Sequence, residues 1–135
     1  MKEPRWIEER DVLALHDRVL ALHGGAAGVR DETLLKSALA RPRQHYAYAD
    51  DPEMAAMAAL YTAGIVRNHP FLDGNKRTGF VTGVLFLELN GYRFTASEED
   101  ATKAVADLAA GDLSESAYPH WMGANAQARR TKRSS

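Results

Sequence analysis

Between two apolar stretches of helical periodicity lies His69-Pro-Phe-Leu-Asp-Gly-Asn-Lys-Arg-Thr78, which sets an imidazole, a carboxylate, an amide and two cations side by side. Gly74-Asn75 allows a sharp turn into a helix start. The first turn of a helix carries N–H groups without intrahelical partners and the positive end of the helix dipole, which together attract anions. Lys76 and Arg77 fall on that turn, where each opposes the dipole by roughly 0.3–1 kcal/mol. A bound polyanion turns this conflict into attraction, so the pattern predicts a phosphate site built from Gly74, Asn75, Lys76 and Arg77. Asp73, just before the turn, offers hard oxygen ligands of the kind Mg²⁺ takes when it bridges phosphates. His69 is placed to accept a proton from an attacking hydroxyl. Phe71 is expected to point inward and anchor the loop.

Taken singly, each of these residues has an ordinary reading. A lone His packs or sits on the surface, and a lone Asp before Gly forms a turn or a cap. Lys76 and Arg77 alone describe a solvated face, and Asn75 alone a helix cap. The functional reading rests on their joint spacing. His16, His23, His45 and His120 have no second donor at ligand spacing and read as structural or surface residues.

The stretch from His69 to Arg77 resembles the motif of the Fic/Doc family, His-x-Phe-x-Asp/Glu-Gly-Asn-Gly/Lys-Arg, at every fixed position. Similarity extends outward. Gly28-Val-Arg-Asp-Glu-Thr-Leu-Leu-Lys-Ser-Ala-Leu-Ala-Arg-Pro42 is similar to the N-terminal part of Doc-type members, and Leu85-Phe-Leu-Glu-Leu-Asn-Gly91 to the remainder of their central helix, so the match covers residues 10–125. The resemblance implies ATP as donor, Mg²⁺ held by Asp73, His69 as general base, and transfer of a phosphate-containing group to a protein hydroxyl. Two positions point to the Doc-type subclass. Lys76 stands where many family AMP-transferases have Gly, and Phe80 where they have a second Arg. Doc-type members imply phosphate transfer to elongation factor Tu, arrest of translation, and control by a small Phd-type antitoxin. Pro70 and Gly74 are closer to ordinary Fic proteins, which keeps AMP transfer as the alternative. A silent module that only binds nucleotide or a partner is the second alternative. The family's inhibitory helix, Ser/Thr-x-x-x-Glu-Gly/Asn, is approached only by Thr95-Ala-Ser-Glu-Glu-Asp100, which also reads as a helix cap. Arg43, Tyr46 and Tyr48 lie where Fic proteins place a target-docking flap, with plain packing as the competing reading.

The elements that must hold this loop are nearly all helical. Val12, Leu15, Val19 and Leu22 recur at i, i+3, i+7 and predict one helix face over residues 8–23, stopped by Gly24-Gly25. Asp31 is a good N-cap for a helix bearing Leu34, Leu35, Ala38 and Leu39, which Pro42 is expected to end. Residues 44–51 read as loop, flap or helical turn. Asp51-Pro52 predicts a cap and first turn for a helix with Met54, Met57, Ala58, Tyr61 and Ile65 inward. The helix after the loop, running to Asn90, carries Phe80, Val81, Val84, Leu85, Leu87 and Leu89 and is expected to sit centrally. Tyr92-Arg-Phe-Thr95 reads as an extended link. Ser97 with Asp100 predicts a cap for a fifth helix lined by Ala101, Ala104, Val105 and Leu108. A last helix falls within residues 114–126, near Pro119. Trp6 and Trp121 read as peripheral packing residues. The expected architecture is an all-α, single-domain bundle of about six helices over residues 1–128, with 129–135 a disordered basic tail.

Composition agrees with these expectations. The 135 residues suit one core, and 45% of them are hydrophobic. Lys plus Arg total 17 against 18 acidic residues, so the charge balance gives no reason to expect nucleic acid or a membrane surface as partner. The chain has no Cys, which excludes disulfides, thiolate metal sites and cysteine nucleophiles. No apolar run resembles a secretion signal or spans a bilayer, and a cytoplasmic protein is expected.

Overall fold

The computed structural model describes residues 2–129. It contains six helices, α1 (Glu9–His23), α2 (Glu32–Tyr48), α3 (Met54–Asn68), α4 (Asn75–Leu89), α5 (Glu98–Ala110) and α6 (Tyr118–Ala124). Two short strands, β1 (Tyr92–Phe94) and β2 (Ala126–Ala128), pair antiparallel with Arg93 opposite Gln127. The expected all-α bundle is therefore present. The extended link after α4 acquires a partner strand that follows α6. Of the expected tail, Arg129 is described, and its amide donates to the Gly91 carbonyl at 2.8 Å; residues 130–135 lie outside the described residues. No described helix is long and apolar enough to cross a membrane.

Helix starts and stops follow local chemistry. Glu8 and Asp11 form a reciprocal capping box at α1, and Gly24 closes it at φ 78°. Asp31 caps α2 by accepting from the Leu34 amide at 3.0 Å. Ser97 caps α5 by accepting from the Asp100 amide, so the cap reading of this stretch holds. Two boundaries differ from expectation. Helix α3 starts at Met54 after Glu53, so Asp51 is not its cap. Helix α2 also continues without a break past Pro42 to Tyr48. Proline in a helix interior forfeits one hydrogen bond and costs about 3 kcal/mol. Pro42 is buried, and the turn beyond it is held by Trp6, with Tyr46 edge-on at 5.6 Å and the Arg43 guanidinium 5.4 Å above the indole. Those tertiary contacts offset the local penalty.

Helix α3 takes the centre of the bundle, with α2, α4 and α6 packed around it. Nine of its residues are buried, including Met57, Tyr61, Thr62 and Ile65, as expected of a helix covered all round. Burial pushes the Tyr61 phenol up to about 12, so its hydroxyl stays protonated while its oxygen accepts from the Ile7 amide at 3.0 Å. The expectation for α4 is corrected in detail. Its buried face is Asn75, Thr78, Gly79, Thr82, Gly83, Phe86 and Leu87, while Phe80, Val81, Val84 and Leu85 are only partly covered. Small residues face α3 because the two backbones nearly touch. A Cβ at Gly79 would lie 3.0 Å from the Thr62 carbonyl oxygen, and one at Gly83 would collide with Thr62 Oγ1 and sit 2.8 Å from the Ala58 carbonyl.

This contact makes a prediction whose sign is opposite to helix propensity. Gly→Ala within a helix ordinarily gains up to ~1 kcal/mol. At Gly83 the added methyl displaces Thr62 from its bond to the Gly79 carbonyl and overpacks the core, which costs roughly 1–3 kcal/mol. Gly83→Ala is therefore expected to lower the thermal midpoint. A midpoint raised by this substitution would refute the close approach of α3 and α4.

Candidate active site

The loop between α3 and α4 is held by hydrogen bonds that each have a backbone group on at least one side. His69 is the C-cap of α3 at φ 54° and ψ 52°, a left-handed conformation that no other non-glycine residue described here adopts. Such conformations cost about 1–3 kcal/mol and persist only where the surroundings enforce them. Here the enforcement comes from Arg30, whose Nε donates to the His69 carbonyl at 2.7 Å and whose Nη2 donates to the Asn68 carbonyl at 2.9 Å. The His69 imidazole itself is exposed, with no partner among the described residues.

The rest of the loop is hooked to the segment that joins α1 and α2. The Pro70 carbonyl accepts from the Arg30 and Asp31 amides at 2.6 and 3.0 Å. Phe71 forms an antiparallel bridge with Val29, and the Leu72 amide donates to the Gly28 carbonyl at 3.1 Å. Asp73 Oδ2 accepts from the Ala26 amide at 2.9 Å. Gly28 sits at φ 122° and Gly25 at φ 123°, which lets this segment lie flat against the loop.

Phe71 is fully buried, as an anchor must be. Asn75 is buried too, and its amide is spent on Phe71. Oδ1 accepts from the Phe71 amide and Nδ2 donates to the Phe71 carbonyl, both at 3.0 Å. The expectation that Asn75 binds phosphate is thus narrowed to its backbone N–H, because its side chain closes the loop. Beneath this clasp lies His16. Its ring stacks on Phe71 at 3.8 Å and 9°, and its Nε2 is 2.9 Å from the Asp73 carbonyl oxygen.

The loop ends in an anion cradle. Gly74 is the N-cap of α4 at φ 77°, ψ 17°, no side chain caps the helix, and its first turn holds no acidic residue. A left-handed residue followed by helical ones turns successive N–H groups toward one point, a concavity suited to anions. Lys76 and Arg77 are exposed beside it and form no ion pair among the described residues. No group of three or more His, Cys, Asp or Glu among the described residues could hold a metal by itself. Asp73 is a single carboxylate with Oδ2 engaged and Oδ1 without a described donor. That suits Mg²⁺, which keeps several waters and binds through one or two carboxylates plus phosphate oxygens.

A groove of about 530 Å³ borders this turn, between α1, α4 and α5. Leu15, Val19, Leu22, Phe80 and Val105 line it, with Arg18, Lys76 and Arg77 among its walls. Leu22, expected on the buried stripe of α1, is 75% exposed there. Phe80 contacts Phe94 edge-on at 5.4 Å, so this position presents an apolar ring beside the cradle.

The structure brings His69, Phe71, Asp73, Gly74, Asn75, Lys76 and Arg77 into one turn. It places the expected flap residues elsewhere, on the last turns of α2. Arg43 pairs with Glu8 at 2.6 Å, Tyr46 packs on Trp6, and Tyr48 is 87% exposed. The segment that does line the loop is residues 25–31. Sequence reasoning missed Arg30 and His16. The signal for His16 was its place on the α1 stripe, four residues after Val12 and three before Val19.

The profile of the Fic/DOC family matches residues 6–87. The chain is 32% identical over 110 residues to the protein kinase doc of Escherichia phage P1, an alignment covering 82% of this chain and 86% of that one. It is 41% identical over 75 residues to the toxin Doc of Mycolicibacterium smegmatis, covering 54% and 57% respectively. With the matched region holding the whole loop and the helices on both sides of it, the chain belongs to the Fic/DOC family.

Proposed function

We propose that this protein is a Doc-type toxin that transfers the γ-phosphate of ATP to a hydroxyl of a translation factor, elongation factor Tu, in the cytoplasm. The observation that carries the reading is that one short loop joins an exposed His69, with no partner among the described residues, to an open helix N-terminus bearing Lys76 and Arg77. The target hydroxyl attacks the γ-phosphorus, His69 takes the hydroxyl proton, and the bond to the β-phosphate oxygen breaks to release ADP. The amides of Gly74, Asn75 and Lys76 and the cations of Lys76 and Arg77 hold the polyphosphate. Mg²⁺, held by Asp73, would supply charge neutralisation between the phosphates.

Phosphate transfer is favoured over AMP transfer by the surroundings of the cradle. A glycine at position 76 would let backbone approach a pyrophosphate, whereas Lys76 fills that space with a cation. Phe80, packed on Phe94, has no charge to clamp a terminal phosphate in the orientation that AMP transfer needs. The similarity to a protein named as a kinase supports the same choice. Parallel reactions with α- and γ-labelled ATP in a cell lysate test it. Label from the γ position is expected on a protein of elongation factor size. Retention of α label on the target would replace the kinase reading with AMP transfer, to which Pro70 and Gly74 are equally suited.

Control is assigned to a separate Phd-type antitoxin, because the one candidate inhibitory stretch is spent capping α5. The groove between α1, α4 and α5 is its proposed seat. It is apolar enough for the face of an amphipathic helix, and Arg18, Lys76 and Arg77, set against the one carboxylate of Glu98, favour acidic residues on that helix. A helix lying there would cover the two cations that the polyphosphate needs.

A further inference from the structure

We infer that His16 is a positioning residue for the transfer reaction, fixing the peptide between Asp73 and Gly74 so that the Gly74 N–H joins the anion cradle. The inference rests on the phosphate-transfer reading for its kinetic consequence and on geometry alone for the rest. His16 is only 4% exposed and lies on α1, a different element from any that carries the reacting groups. A carbonyl oxygen only accepts, so the 2.9 Å contact with the Asp73 carbonyl places a proton on Nε2. The peptide unit is planar and trans, so its C=O and N–H point in opposite directions. Holding the Asp73 oxygen against α1 therefore turns the Gly74 N–H away from α1. Gly74 is left-handed and Asn75 helical, the sequence of conformations in which the N–H groups of Gly74, Asn75 and Lys76 converge.

The loop needs this contact more than an ordinary turn would. Gly74 has no Cβ, and its φ of 77° is one of several that glycine adopts freely, so the peptide before it has little intrinsic reason to keep one orientation. Arg30 fixes the loop at His69 and Asn75 fixes it at Phe71. The main-chain bonds at Pro70 and Leu72 hold its middle, and beyond Leu72 the Asp73 carbonyl is anchored by His16. The same ring lies flat on Phe71, so one side chain ties the anchor of the loop to its last peptide.

Two substitutions separate the two contacts. His16→Phe keeps a ring against Phe71 and removes the donor. His16→Gln keeps an N–H donor and removes the ring. Three measurements follow on the full-length protein: the ¹⁵N–¹H resonance of Gly74, affinity for inorganic pyrophosphate, and kcat and KM for ATP. In His16→Phe the Gly74 resonance is expected to shift and broaden, and pyrophosphate affinity to fall about 3- to 10-fold, the usual worth of one hydrogen bond. KM for ATP should rise by the same factor and kcat should fall. His16→Gln should restore the Gly74 resonance and most of the pyrophosphate affinity. A purely structural role would lower the thermal midpoint and the active fraction but leave KM and the Gly74 resonance of the folded molecules at wild-type values, and that result overturns the inference. So does the reverse pattern, with His16→Phe normal and His16→Gln impaired, which would credit the stack alone. If His16→Phe does not fold, the comparison of His16→Gln with His16→Ala decides the same question, since only the former has a donor. If the wild-type protein transfers nothing from ATP, the kinase reading fails while the resonance and the pyrophosphate titration still judge His16.

Discussion

Replacing His69 with alanine is expected to lower the transfer rate by about 10²–10⁴, the usual contribution of a positioned general base. Binding of ATP should change little, because the proposed phosphate cradle consists of the Gly74, Asn75 and Lys76 amides with the Lys76 and Arg77 side chains and does not use the imidazole. The complication is the backbone. His69 sits at φ 54°, where alanine is less at ease than histidine. His69→Asn removes this ambiguity, since asparagine tolerates left-handed geometry well and has no basic nitrogen. Both variants should show the same loss of kcat, with a lower thermal midpoint for the alanine form. If His69→Asn kept near-wild-type turnover, His69 would not be the base.

Expression of the protein alone is expected to arrest growth, and co-expression of the proposed Phd-type antitoxin to relieve the arrest. The groove makes this a test of place as well as of function. Leu22 is 75% exposed on its wall and contributes nothing to the reacting loop. A central apolar anchor in such an interface is worth ~2 kcal/mol or more, which corresponds to about a 30-fold loss of affinity. An Asp there would also repel the acidic residues proposed to face Arg18, Lys76 and Arg77. Leu22→Asp should therefore retain wild-type transfer and thermal midpoint, bind the antitoxin at least ~30-fold more weakly by calorimetry, and stay toxic when the antitoxin is present. Rescue of this variant as effective as that of the wild type would remove the groove as the seat. A wild-type protein that folds, binds ATP and is harmless alone would remove the toxin reading itself.

Much of the reacting turn was legible because its information is local. Residues 69–77 are contiguous, and the turn, the helix start and the cation pair follow from the residue types in order. The caps at Asp31 and Ser97 were legible for the same reason. What escaped sequence reasoning was decided by partners distant in the chain. Pro42 was expected to end α2, and the contacts of Trp6 with Tyr46 and Arg43 carry the helix past it. The large residues of α4 predict a helix covered on most sides, yet Phe80, Val81, Val84 and Leu85 are only partly covered and Gly79 and Gly83 face α3, because close backbone approach rewards the absence of a side chain. Asn75 is expected in the phosphate site from its place at the helix start, and only the fold shows that Phe71 takes both ends of its side-chain amide. Arg30 and His16 lie 39 and 57 residues from the backbone atoms they hold, and no spacing rule reaches that far.

The segment between α1 and α2 holds the loop through main-chain groups: the Ala26 amide, the Gly28 carbonyl and the Arg30 and Asp31 amides. Main-chain hooks do not depend on which side chain is attached to them. Ala26, Ala27 and Val29 point their side chains into solvent to different degrees while the hooks stay in place. Mutational drift at these three positions can therefore rewrite the outer relief around the reacting turn without unfastening it. The fastenings that cannot drift are the glycines that allow the flat course and the side chains of Arg30 and Asp73. A division of this kind lets one inherited chemistry be offered to new protein surfaces by single substitutions, each of them nearly silent in the stability of the fold.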